Sequence, residues 1–254
     1  MKINEVIKTK SYVTLDDIDI PSGSSGKFLK DHCSTAYNSP FKIYRGMPKN
    51  SYSGLLFGNS SKITRKSANT GNYYTELMDN FLPAWNDYPS RSKSFICSTA
   101  NFTAAEYGDL YQVYPIGDPI IGICPQRDIW DSFKNINLAD FSAMFQWIQD
   151  ICNIPKKDSW ADIESTIIAA DVCWENEDND FEEEKNVMMR AIHNNVDAVS
   201  NVTLEKFGSF TEFLTWLLDP KRNKFQVKKL SQLPSMNNNE VWFSGAAYFK
   251  GVRT

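Results

Sequence analysis

The spacing of apolar and polar residues divides the chain into strand-like and helix-like stretches. Short apolar or alternating runs, bounded by glycine, proline or serine, predict strands in the first half of the chain and again near its end. The predicted strands are 41–45, which Gly46 ends, 94–97, 110–114, 119–125, 224–230, 240–243 and 246–252. Apolar positions at helical spacing predict helices over 27–37, 73–85, 138–151, 161–174, 181–193 and 210–218, with another beginning at Ile129.

These elements predict a single domain, 1–254, of the α+β class. The composition shifts near its middle, and 128–219 form a predicted helical insertion whose aromatic residues we assign to a core. Residues 1–25 are polar, end in Pro-Ser-Gly-Ser-Ser, and predict a flexible segment. Residues 48–72 are rich in serine, asparagine, glycine and lysine, and predict a long surface loop.

Composition narrows the range of functions. The 254 residues carry a net charge of -4, so a nucleic acid is not the favoured partner, although it is not excluded. Five cysteines are scattered without CxxC spacing and there are two histidines, so we expect neither a metal site nor a disulfide framework. This cysteine usage fits a reducing, cytoplasmic compartment. No apolar run approaches the roughly 20 residues that cross a bilayer, so no membrane partner is expected.

Polar residues that could bind a ligand or take part in catalysis lie at the ends of three predicted strands. Arg45 ends one strand beside Gly46, and Glu240 begins another. Ser98 and Thr99 follow the strand between them, where side chains face a cleft rather than a core. Each also has a simpler interpretation. The two hydroxyls could cap a turn, Arg45 could be a surface charge paired with an acid, and Glu240 could be an exposed edge charge that discourages sheet association.

The segment after the hydroxyl pair predicts a short helix. Thr103 and Glu106 have the spacing of a capping box, and Gly108 can end the helix in a left-handed conformation.

An arginine, a serine-threonine pair and a glutamate, in this order and at strand ends, resemble the Arg-Ser-Glu class of mono-ADP-ribosyltransferases. The blocks that carry the resemblance are Ile43-Tyr44-Arg45-Gly46, Phe95-Ile96-Cys97-Ser98-Thr99-Ala100 with 104–107 behind it, and Asn238-Asn239-Glu240-Val241-Trp242. The helical region before the third block is similar to the extra helical segment of phage-encoded members. The resemblance implies a split mixed or antiparallel sheet around an NAD cleft, with NAD as a substrate and no metal.

The resemblance also implies a role for each residue. Glu240 would stabilise the positive charge that develops on the ribose as the nicotinamide bond breaks. Ser98 would hydrogen-bond Glu240 and fix its rotamer, and Thr99 would support the strand end. Arg45 would make a bidentate contact with the NAD pyrophosphate.

The nicotinamide ring would lie against the backbone at Gly46 and an aromatic side chain, Tyr107 or Phe102. Packing against the sheet is the alternative for both aromatic residues.

Two positions depart from the family pattern. Ala100 replaces the last serine of Ser-Thr-Ser, and Asn238 replaces the first residue of Glu-x-Glu or Gln-x-Glu, on the acceptor side. An asparagine amide is not a general base, which puts an arginine acceptor in doubt.

The implied function is transfer of ADP-ribose from NAD, with nicotinamide release, to a macromolecular acceptor. The expected acceptor is a host protein, and the enzyme would be a bacteriophage effector in the bacterial cytoplasm, with delivery by the virion left open. The helical insertion is our candidate for target recognition. Alternatives are an NAD glycohydrolase, a degenerate module that binds NAD or a partner, and a cysteine hydrolase built on Cys97 and His193, which has no supporting motif.

Overall fold

The computed structural model describes seven stretches of the chain, which together form two compact units. The described residues are 16–18, 24–48, 54–62, 64–66, 71–175, 182–196 and 204–252. One unit, the sheet unit, contains the described residues of 7–66, 86–128 and 224–254. The other, the helical unit, contains those of 67–85 and 129–223. The assignment of the whole chain to one domain stays a prediction.

In the described part of the sheet unit, nine strands form one antiparallel sheet. They are β1 Asp16–Ile18, β2 Ile43–Met47, β3 Leu55–Asn59, β4 Phe95–Ser98, β5 Asp109–Pro115, β6 Ile120–Ile123, β7 Gln226–Lys229, β8 Glu240–Phe243 and β9 Ala246–Gly251. Their order across the sheet is β1-β3-β9-β5-β2-β4-β8-β6-β7. The α+β class and the antiparallel sheet are therefore confirmed, and β8 has the bounds that the sequence predicts.

Three strand predictions need correction. Gly46 lies inside β2 rather than at its end, because the strand continues to Met47 and Gly46 pairs with Leu110. Residues 55–59, expected in a surface loop, form β3, which pairs with β9 along its whole length. Residues 16–18, within the segment expected to be flexible, form β1 against β3. The other residues of 1–23 lie outside the described residues.

The described part of the sheet unit also contains three short α-helices: α1 Ser25–His32, α2 Ser34–Asn38 and α4 Asn101–Ala105. The single helix expected over 27–37 is thus broken, since Cys33 leaves the helical conformation between α1 and α2. The predicted capping box is wrong, because α4 begins before Thr103, and Glu106 follows its end. Gly108 has a positive φ of 130° as predicted for a helix stop.

The helical unit is built from α3 Tyr73–Asn80, α5 Leu138–Ile151, α6 Trp160–Glu175, α7 Glu182–Asn195 and α8 Phe210–Leu217. The four later helices confirm the helical character of 128–219. The unit additionally includes α3, which precedes Ser98 in the chain. Tyr73 explains this arrangement, because its ring lies 5.1 Å from that of Phe145 and its hydroxyl donates to Gln149 at 3.1 Å.

Aromatic residues form the core of the helical unit, as predicted. Phe141, Phe145, Phe210 and Phe213 have no exposed surface. Ser209 caps the start of α8, because its side chain accepts from the Glu212 N–H at 3.1 Å. Within the described residues, no helix combines the length and apolar character needed to cross a membrane.

Candidate functional site

Ser98 and Glu240 face each other across two neighbouring strands. In the β4–β8 ladder Ser98 pairs with Glu240, and the ladder continues to Phe95 and Phe243. Directly opposed residues of an antiparallel pair project from the same face of the sheet. The fold therefore brings together two of the candidate residues, although 141 positions in between include the whole helical stretch from α5 to α8.

The Glu240 carboxylate is buried and forms an ion pair with Arg91. Arg91 Nη2 lies 2.7 Å from Glu240 Oε1, and the two side chains are 2% and 10% exposed. Cys124 Sγ, 3.6 Å away, donates to the same oxygen. The interpretation of Glu240 as an exposed edge charge is wrong, because β8 lies between β4 and β6 inside the sheet.

Ser98 makes a local contact within its own turn. Its Oγ accepts from the Ala100 N–H at 3.1 Å, as a turn-capping hydroxyl does. The predicted hydrogen bond from Ser98 to Glu240 stays a prediction, and the carboxylate is contacted by Arg91 and Cys124.

The loop before Glu240 is tied to the end of β4 by Thr99 and Asn239. Thr99 N–H donates to Asn239 O at 3.0 Å, and Asn239 N–H donates to Thr99 Oγ1 at 2.9 Å. The Asn239 side chain donates to the carbonyls of Cys124 and Pro125 at 3.0 and 3.3 Å. Thr99 thus supports the strand end, as expected, and Asn239 fixes the entry into β8.

Asn238 adopts a left-handed conformation with φ of 61°, which asparagine tolerates better than most residues. Its Oδ1 accepts from Thr103 Oγ1 at 2.6 Å. Asn238, two positions before Glu240, is therefore joined to α4.

Arg45 links β2 and β4, the neighbouring strands of the sheet that share the fewest registered residue pairs. The ladder between β2 and β4 has one registered pair, Tyr44 with Ser98. Arg45 Nη1 donates a hydrogen bond to the carbonyl of Ile96, which strengthens this junction. Arg45 is only partly exposed, and this contact with a carbonyl replaces the acid partner of the simpler interpretation.

Gly46 is required for packing within the protein. A Cβ atom at this position would lie 2.0 Å from Ala104 O and 2.9 Å from Tyr107 Cβ. The expected approach of a ligand to this glycine must be corrected, because the segment of α4 and Tyr107 occupies the space on its side-chain side.

Phe102 and Tyr107 are exposed, by 62% and 54% respectively. Neither residue is therefore buried against the sheet, which was the alternative interpretation. Tyr107 Oη lies 3.5 Å from Asp128 Oδ2, to which it donates. Both rings remain candidates for stacking against a ligand.

Cys97 is a buried residue of β4, one position before Ser98. Burial raises the pKa of its thiol to about 12, while Arg45 lowers this pKa and Glu240 raises it. Both side chains are therefore within electrostatic range of one buried sulfur. A thiol held protonated is a poor nucleophile, which argues against the cysteine hydrolase. His193 lies on α7 in the helical unit and is exposed.

The sequence reasoning missed Arg91, Cys124 and Thr103 as members of this site. Arg91 stands in a polar turn whose composition gives no sign of burial, and Cys124 reads as an ordinary strand residue. Only the long-range pairing of β8 with β4 and β6 brings them to Glu240.

Comparisons with known proteins leave the resemblance resting on these residues. No protein-family model, no curated protein and no solved structure matches the chain.

Proposed function

We propose that the protein is a mono-ADP-ribosyltransferase of the Arg-Ser-Glu class, which transfers ADP-ribose from NAD to a host macromolecule. The observation that carries this proposal is the opposition of Ser98 and Glu240, with Arg45 on the next strand. Three blocks from distant parts of the chain, recognised by their residues and their order, come together in one sheet. The finer fold assignment, a split sheet around an NAD cleft, belongs to the same proposal and is supported by the narrow β2–β4 junction.

The proposed chemistry breaks the bond between ribose C1′ and the nicotinamide nitrogen. The bonding electron pair leaves with nicotinamide, which becomes neutral, and the ribose becomes oxocarbenium-like. The Glu240 carboxylate would stabilise that charge and accept a hydrogen bond from the ribose 2′-hydroxyl. A lone pair of the acceptor then forms the new bond to C1′, and the acceptor releases its proton to solvent.

Arg45 retains the capacity for the role assigned to it. A guanidinium carries five N–H donors, and the contact with Ile96 occupies one of them. The others suit a pyrophosphate, so structural support and NAD binding are compatible in one side chain.

Asn238 shapes the choice of acceptor. Its amide cannot remove a proton, and its Oδ1 already accepts from Thr103. The proposal therefore favours a protein side chain other than arginine as the acceptor. Water is the second candidate acceptor, in which case the reaction is hydrolysis of NAD. The place of action proposed is the cytoplasm of a bacterial host, and the helical unit is the proposed target-recognition region.

The test is transfer of labelled ADP-ribose in a bacterial lysate, together with nicotinamide release from NAD. We compare the wild type with Glu240→Gln, which keeps the side-chain shape, and with Asp31→Asn, the equivalent loss of a carboxylate at an exposed position of α1. Labelled bands with the wild type and Asp31→Asn, but not with Glu240→Gln, would support the transferase.

Other outcomes identify the alternatives. Nicotinamide release without labelled bands would indicate a glycohydrolase. Binding of NAD with no consumption by any of the three proteins would indicate a binding module and refute the enzyme.

A further inference from the structure

We propose that Arg91 is a positioning residue for Glu240, which holds the carboxylate in the orientation that the ribose of NAD requires. This inference rests on the proposed function, and it assigns a role to a residue outside the three family blocks.

The contact itself is short and almost free of solvent. Arg91 Nη2 and Glu240 Oε1 are 2.7 Å apart, and both side chains are at least nine-tenths buried. A buried pair of this kind is held within a narrow geometry, because either partner alone would be an uncompensated charge in a low-dielectric environment. The carboxylate therefore has little freedom to rotate away from Arg91.

Trp242 holds the guanidinium on the same face of β8. The centre of the guanidinium lies 5.4 Å from the centroid of the Trp242 ring, within the range of a cation–π interaction. Glu240 and Trp242 are two positions apart in one strand, so they project from the same face. Arg91 thus contacts two consecutive side chains of that face.

Trp242 also fixes the segment that carries Arg91. Its Nε1 donates to Pro89 O at 2.8 Å, and its ring is stacked with Tyr88 at 6.0 Å between centroids. The indole can lie over β6 because Gly122, its registered partner there, has no side chain. A glycine, a tryptophan and a backbone carbonyl therefore determine where Arg91 stands.

The other side of the same turn is tied down by serines. Ser94 Oγ donates to Ser90 O at 2.6 Å, across the one-turn helix of 91–93. Ser244 Oγ donates to Lys93 O and lies 2.9 Å from Ser94 Oγ. Hydrogen bonds on both sides make this turn a rigid support, which is what a functional carboxylate needs.

The test separates positioning from folding by kinetics of nicotinamide release. We compare Arg91→Lys, which keeps the charge but loses the planar fork, with Arg91→Gln and with Lys30→Gln, a control at an exposed cation of α1. We expect kcat to fall about 10-fold for Arg91→Lys and about 100-fold for Arg91→Gln, as misplacement by about 1 Å can do. KM for NAD should change less than about 3-fold, because ground-state binding is retained. The control should match the wild type.

A double-mutant cycle in denaturant unfolding tests the ion pair without any substrate. Arg91→Gln, Glu240→Gln and the double variant should be strongly non-additive, with the double variant more stable than Arg91→Gln. If Arg91→Gln does not fold, Arg91→Lys carries the kinetic test. The inference would be overturned if Arg91→Lys had the wild-type kcat and the cycle were additive. It would also be overturned if kcat/KM fell in the Arg91 variants only because KM for NAD rose.

The cycle also distinguishes the two possible failures. If the wild type releases no nicotinamide, the proposed function fails and the positioning role fails with it. Non-additivity in that case would show the pair to be a purely structural contact.

Discussion

Replacement of Gly122 by alanine should destabilise the sheet unit through Trp242. The added Cβ would lie 2.3 Å from Trp242 Cε2 and 2.4 Å from Cζ2, closer than any real contact, so the indole must move. Overpacking of a core costs about 1–3 kcal/mol. Movement of the ring also weakens the bond from Nε1 to Pro89 O, which contributes about 1 kcal/mol. The expected loss in the free energy of unfolding is therefore about 2–4 kcal/mol.

The assay is denaturant unfolding followed by far-ultraviolet circular dichroism, with Gly54→Ala as the matched control. A Cβ at Gly54 would meet nothing within 4 Å, so that variant shares the backbone effect of the exchange without the clash. In a Trp242→Leu background, Gly122→Ala should cost little, because the obstructing ring is gone. If Gly122→Ala unfolds like Gly54→Ala, the packing of Trp242 over Gly122 and the support of Arg91 derived from it are refuted.

Two further predictions concern titratable groups. Cys97 should stay unmodified by a thiol reagent at mildly alkaline pH until the protein is unfolded, because burial raises the pKa of its thiol to about 12. Rapid labelling of Cys97 in the native protein, measured by mass spectrometry, would contradict this prediction. The pKa of Asp118 is lowered by the backbone N–H and hydroxyl of Ser231, so the stability from this contact is present above the unfolded-state pKa and lost as pH falls through the folded one. Ser231→Ala should move the Asp118 pKa, measured by NMR titration, towards its ordinary value, and an unchanged titration would count against the assignment.

The spacing of apolar residues was sufficient to predict an element where the residues that decide its burial lie within the element itself. The strand from Glu240 to Phe243 and the helices α5, α6 and α8 follow from apolar spacing, because their burial is decided by residues close in sequence. The strand β3 was missed since Leu55 and Leu56 are surrounded by polar residues that are typical of loops. Its pairing with β9, far away in the chain, supplies the hydrogen bonds that make it a strand.

The candidate site shows the same division. Arg45, Ser98 and Glu240 could be selected from the sequence, because each combines a chemically suitable side chain with a predicted strand end, although Arg45 in fact lies inside β2. The residues that surround each of them in the structure could not be predicted from the sequence. A polar turn gave no reason to expect a buried Arg91, and the position of Gly46 suggested an open backbone where the chain in fact packs against α4.

The alternation of side chains along β8 connects these observations. It places Glu240 and Trp242 on one face, so any group that packs on the tryptophan is also delivered close to the carboxylate. Trp242 is completely buried, and a residue of this size must be covered on that face. The cation of Arg91 satisfies both demands, since it packs on the indole and neutralises the carboxylate. A large aromatic residue two positions after the glutamate is therefore a physical reason for Glu240 to be held in one orientation, whether or not Ser98 contacts it.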